Sequence, residues 1–154
     1  MSYILPTAST TVTASQRLVI RVVVHIAQFV SEWQPTRVQR LLRIISRGAK
    51  PGSYEDVSRA RDDVLSVSTI SRGPSACLVR SISVVLLCRL RGSWADWCVG
   101  VLAEPPFMAH AWVEADGRIV DEELRPDEVR VLVRVTAYRA ASLSDPSSSN
   151  SGRR

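Results

Sequence analysis

Apolar residues across positions 15–33 recur at helical spacing, Val19, Val22, Val23, Ile26 and Val30 among them, and Pro35 closes the run. The pattern predicts a buried first helix. A second helix, from Thr36 to about Arg47 and ending near Gly48, sorts its residues by side, with Val38, Leu41, Leu42, Ile44 and Ile45 facing one way. Arg40, Arg43 and Arg47 gather on the other, with Arg37 at the margin and no acidic residue between positions 33 and 54. Ser53, with Asp56 three positions later, reads as a capping box that opens a third helix through about Ser66. Positions 68–76 combine Gly, Pro and Ser as a loop does, and deliver the chain into an apolar helix that begins at Cys77 and ends at Gly92.

Beyond Gly92 the period changes. Positions 97–102, 109–115 and 118 to about 122 are short, strand-like and split by turn residues. Val129, Val131, Val133 and Val135 alternate with Arg130, Leu132, Arg134 and Thr136, which predicts a last strand with one exposed face. Helices first and strands afterwards define an α+β fold, with N-terminal helices and a central helix packed on a small antiparallel sheet. Residues 1–14 read as an N-terminal extension, 15–141 as a single domain, and Ser142 onward as a serine-rich disordered tail.

A chain of 154 residues that is 45% hydrophobic suffices for one domain with a core. The net charge of +5 favours acidic partners, although 20 basic residues with a single lysine, Lys50, equally reflect genomic base composition. No recognition motif or aromatic–basic interleaving points to nucleic acid. Three cysteines at unrelated spacings make neither a disulfide framework nor a metal-binding pattern, so a reducing cytoplasm is the expected setting. The N-terminus lacks the basic start and apolar run of a secretory signal. The most apolar stretch, positions 18–30, is broken by Arg21 and His25 and is too short to span a bilayer, so a soluble protein is expected.

Cys77 stands where a helix begins, and there unpaired backbone N–H groups and the helix dipole stabilise a thiolate. The same turn offers N–H groups to a developing oxyanion. His110 opens the strand-like run AHAWVEADG, beside a hairpin turn at Asp116–Gly117, where a rigid strand holds a base still. The returning strand carries Asp121 and Glu122, either of which supplies a carboxylate to orient the imidazole and stabilise its charged form. A two-residue turn sets Asp121 opposite Trp112, on the face of His110. A three-residue loop with Gly117 as a bulge shifts the register by one and sets Glu122 across from His110.

Three segments, CLVRSISVVLLCRLRG from Cys77, WCVGV from Trp97 and PFMAHAWVEADGRIVDEE from Pro106, resemble the transglutaminase-like leader peptidases of lasso peptide biosynthesis in order and spacing. The likeness is specific from Cys77 to about Glu122; the N-terminal helices agree only in character, and the C-terminal tail carries no family motif. It implies a Cys-His-acid peptidase on a papain-like core, with Cys77 and His110 as nucleophile and base, and its spacing favours Glu122 over Asp121. It also implies a precursor leader peptide as substrate, a separate leader-recognition protein, and a macrolactam-forming synthetase acting on the released core peptide. The chemistry requires no cofactor.

Other candidates have structural readings. Cys88 shares a helix face with Cys77 but lies roughly 16 Å along it, too distant to assist the same reaction. Cys98 reads as a small buried strand residue, and His25 has no metal-ligand partner at helical spacing. Trp112, two residues after His110 and on its side, is placed to shield the histidine–acid contact. It stands with Arg40, Arg43 and Arg47 as a candidate for substrate or partner contact, the arginines being otherwise a solvated face. Two other functions compete with leader removal: acyl transfer to an amine on the same triad, and a non-catalytic peptide-binding module.

Overall fold

The computed structural model describes residues 12–73, 76–120 and 124–137; most of the expected N-terminal extension, the serine-rich tail, Asp121 and Glu122 lie outside these. The helical half comprises α1 (Ala14–Ser31), α2 (Pro35–Ile45), α3 (Tyr54–Val67) and α4 (Cys77–Leu90), with a 3-10 turn at Ile70–Arg72. Strands β3 (Asp96–Leu102), β4 (Ala109–Ala115), β5 (Arg118–Ile119) and β6 (Val129–Val135) form an antiparallel sheet in the order β5-β4-β3-β6. A two-stranded parallel pair, β1 (Lys50–Pro51) with β2 (Ser93–Trp94), joins the ends of the helical segments. The α+β architecture is therefore the one the element order predicts.

Local chemistry sets the boundaries. Thr13 and Gln16 form a reciprocal capping box at the start of α1. Pro35 is the first residue of α2, where its missing N–H costs nothing, so the residue that closes the first apolar run also opens the next helix. Ser53 accepts from the Asp56 N–H at 3.2 Å, and the α3 N-terminus is also tied to the sheet, since Tyr54 N–H donates to the Asp116 carboxylate at 2.8 Å. Gly92, at φ +89°, terminates α4 in a backbone conformation open to glycine. Asp116 and Gly117 have φ of 51° and 72°, the two-residue type I′ turn, and pair Glu114 with Ile119.

The core is organised around α4. The helix has almost no solvent-facing side: Arg80, Ser81, Ile82, Ser83, Val84, Val85, Leu87 and Cys88 are all buried, and only Leu90 at its end is exposed. It packs on α1 and α3 on one side and on β4 on the other. Ile82, Val84 and Val85 join Ile20, Val24, Val57, Val64, Trp97, Val113 and Val135 in one cluster. Each such side chain contributes roughly 1.5–3 kcal/mol through burial.

Two expectations change on this frame. The first helix is only half buried: Ile20, Val23, Val24, Ala27 and Val30 face the core, while Val19, Val22 and Ile26 are exposed. Its apolar surface is wider than the single face that α3 and α4 cover. The second change concerns β6, whose valines do not share one face. The register shifts by one residue opposite Val99 and Gly100, leaving Leu132 as the extra residue of a bulge. Val133 and Val135 consequently face the helices, whereas Val129 lies on the opposite face with Cys98 and Trp112.

Gly100 makes this bulge possible. A Cβ there would sit 2.1 Å from the Arg130 carbonyl oxygen and 3.0 Å from the Trp112 ring. Gly100→Ala is expected to lower the thermal midpoint by about 5–10 °C, the overpacking cost for a domain of this size. Calorimetry checks this, and an unchanged midpoint would mean that the bulge yields without cost.

Candidate active site

The N-terminal end of α4 meets the beginning of β4, and that meeting brings Cys77 and His110 together. The Cys77 side chain hydrogen-bonds the His110 side chain and the Ala111 backbone. The His110 hydrogen bond is the largest influence on the thiol and lowers its pKa from the ordinary value, while burial opposes it. The Ala111 bond and the charges of His110 and Arg80 lower it further. Cys77 remains partly accessible. Ala76, the residue before it, makes no side-chain cap, so the first N–H groups of α4 have no side-chain acceptor from that position.

His110 is held on its own strand by the period of two. His110, Trp112 and Glu114 occupy one face of β4, opposite Gly100, Cys98 and Asp96 of β3. The Trp112 and His110 rings stack with centroids 6.1 Å apart and planes within 14° of parallel. The Trp112 indole N–H donates to the Glu114 carboxylate at 2.9 Å. Arg134 of β6 grips the same carboxylate with two N–H groups, at 2.5 and 3.2 Å. A chain of contacts thus runs from Arg134 through Glu114 and Trp112 to the imidazole. Glu114 is nearly buried, so breaking its charged hydrogen bonds costs about 2 kcal/mol, discounted from larger values because Arg134 is 40% exposed.

Glu114 and Arg134 were not among the candidates read from sequence. The period-two face His110, Trp112, Glu114 was a signal for the first. Arg134 reaches that face only because of the β6 bulge, which no periodicity reveals.

Arg40 and Arg43 lie exposed on α2, which ends at Ile45 rather than near Arg47, and Arg47 lies exposed in the turn beyond it; none of the three forms an ion pair among the described residues. Arg43 and Arg47 line a cavity of about 620 Å³ with Ser46, Arg134 and Val135. Val135 is four residues along β6 from Val131, the partner of the Gly100 that pairs with His110, and β6 is two strands from β4, so Val135 is roughly 16 Å from the histidine's position in the sheet. Trp112 is 1% exposed and its contacts are internal. Cys88 and Cys98 are buried, and burial is the first cause that pushes both thiols up to about 12. His25 bonds its own helix through Nδ1 and the Arg21 carbonyl at 2.7 Å. Among the described residues no helix is long and apolar enough to cross a membrane.

A helix-borne thiol bonded to a strand-borne imidazole on an α+β frame has the form of cysteine-based acyl-transfer chemistry. Residues 20–134 match the family model of the transglutaminase-like superfamily, and the chain belongs to that superfamily. Its activities are of the cysteine protease or acyltransferase type. Comparison with curated proteins and with solved structures finds no match.

The three thiols should differ sharply in reactivity. With its pKa lowered, Cys77 keeps more thiolate than an ordinary cysteine as pH falls through neutrality, whereas Cys88 and Cys98, near 12, hold almost none. Iodoacetamide at pH 7 is expected to modify Cys77 alone in the folded protein, and His110→Ala should slow that reaction by raising the thiol pKa. Peptide mass mapping reads the sites; modification of all three at similar rates would contradict the electrostatics.

Proposed function

We propose that the protein is a cysteine peptidase that removes the leader from a ribosomally made precursor peptide, as in lasso peptide maturation. The observation that carries this reading is the hydrogen bond between the Cys77 thiol and the His110 imidazole. In the proposed cycle His110 accepts the thiol proton and the thiolate attacks the carbonyl carbon of the scissile peptide bond. Backbone N–H groups at the α4 N-terminus receive the oxyanion. The C–N bond breaks as the imidazolium returns a proton to the departing amine of the core peptide. Water, deprotonated by His110, then hydrolyses the thioester and releases the leader. Transfer to an amine would use the same first half, so the choice of hydrolysis rests on the likeness of Cys77 to Glu122 to leader peptidases.

The third member of the triad is Asp121 or Glu122. The two-residue turn at Asp116–Gly117 is the geometry in which Asp121 falls on the face of His110, while the family spacing favours Glu122. Arg40, Arg43 and Arg47 serve in this reading as a docking row for an acidic segment of the leader or of a separate recognition protein. Residues 15–141 form the peptidase domain, the setting is cytoplasmic, and a macrolactam-forming synthetase consumes the released core.

Incubation with a precursor peptide encoded beside this protein, followed by mass spectrometry, tests the function. Cys77→Ala is expected to abolish cleavage with an unchanged circular dichroism spectrum, and cleavage at the wild-type rate would remove Cys77 as nucleophile. Asp121→Asn and Glu122→Gln, compared at saturating precursor, should show one large loss of rate and one small one, because only one carboxylate stabilises the imidazolium. Full activity in both single variants and in the double variant would reduce the triad to a dyad. Reversing Arg40, Arg43 and Arg47 to glutamate should weaken precursor or partner binding and flatten its salt dependence, with little change in thermal stability. Unchanged affinity would return these arginines to a solvated face.

A further inference from the structure

The outer side of α1 carries an apolar stripe that the fold leaves uncovered. Leu18, Val22, Ile26, Phe29 and Trp33 follow one another at intervals of three or four residues and are 39–65% exposed. Phe29 and Trp33 already pack edge to face at 5.7 Å. Val19 joins the stripe to the groove between α1 and α4, where Leu90 is 66% exposed. At these exposures the patch offers on the order of 700 Å² of apolar surface, above the roughly 300–600 Å² that a typical monomer leaves in its largest patch.

We propose that this face pairs with the same face of a second copy of the chain, the two α1 helices lying antiparallel about a two-fold axis. Two lines of physical argument select that occupant. The first is area, since a symmetric pair would bury about 1,400 Å², within the range of stable specific interfaces. The second is charge. Arg17, Arg21 and Glu32 are exposed on one and the same margin of the stripe, the arginines at its N-terminal end and the glutamate at its C-terminal end. Antiparallel helices related by a two-fold axis bring like margins together with opposite ends aligned. Centring the pair on the stripe, between His25 and Ile26, places Glu32 of each copy within about one helical turn of Arg17 and Arg21 of the other. Arg21 and Glu32 form no ion pair within the described part of their own chain, so both charges are available to the second copy. A parallel arrangement would lack this complementarity. The face is separate from Cys77 and the α2 arginines, and the proposal stands whatever the substrate.

Sedimentation equilibrium of the full chain from micromolar to hundred-micromolar concentration tests it. The expected mass is twice the 17.0 kDa of one chain at the upper end. Ile26→Glu should weaken self-association by at least about a hundredfold, as at a central interface position, with circular dichroism unchanged because the site is exposed. The charge pairing has its own test. Glu32→Arg alone and the double variant Arg17→Glu with Arg21→Glu should each dimerise less than wild type, and mixing the two should restore association as a heterodimer. A wild-type chain that stays monomeric throughout, or a dimer indifferent to Ile26→Glu, would overturn the proposal. Failure of the mixed pair to associate better than either variant alone would overturn the antiparallel register.

Discussion

The burial of α4 on two sides is the constraint on which the site depends. A helix buried nearly all round must be covered from both directions, and here α1 and α3 cover it from one and β4 from the other. Its axis is therefore fixed relative to the strand that carries His110. Cys77 sits at the one end of this helix that approaches β4's first residues, so its contact with the imidazole follows from packing of the hydrophobic core rather than from any local loop. The interior sets the position, and the exposed end supplies the chemistry.

The imidazole is fixed by a different kind of force. Its neighbour Trp112 stacks on it and is itself oriented by Glu114, whose carboxylate is held by Arg134 from the far side of β3. Dispersion and ring geometry act on the histidine, and charge acts one residue further out. The ion pair thus restricts the ring through Trp112. The two remaining thiols show what the same interior does without such a partner: with only burial dominant, Cys88 and Cys98 are pushed up to about 12.

Much of this was legible in the sequence because it is written in periods and punctuation. The four helices, the start of α4 at Cys77, its stop at Gly92 and the strand from Ala109 to Ala115 all follow from apolar spacing and from Gly, Pro and Ser. Cys77 and His110 were readable as a pair from their positions at element ends. What escaped was whatever depends on relations between elements. The β1–β2 pair is two residues long and has no period. The alternating valines of β6 suggested one face, but a bulge opposite Gly100 divides them between two, and that same shift delivers Arg134 to Glu114. The first helix looked buried because its apolar surface is broad, while the number of neighbours available to cover it is a property of the whole fold.

The contact between Cys77 and His110 joins the helical half of the chain to the sheet half, and it is the chief cause of the thiol's lowered pKa. A chain whose sheet has not yet closed on α4 therefore carries three ordinary thiols. The perturbation of the Cys77 thiol thus depends on the docking of β4 against α4. Because β2 and β3 lie between α4 and β4 in the chain, the thiol and the ring that perturbs it are neighbours through the fold and not through the sequence.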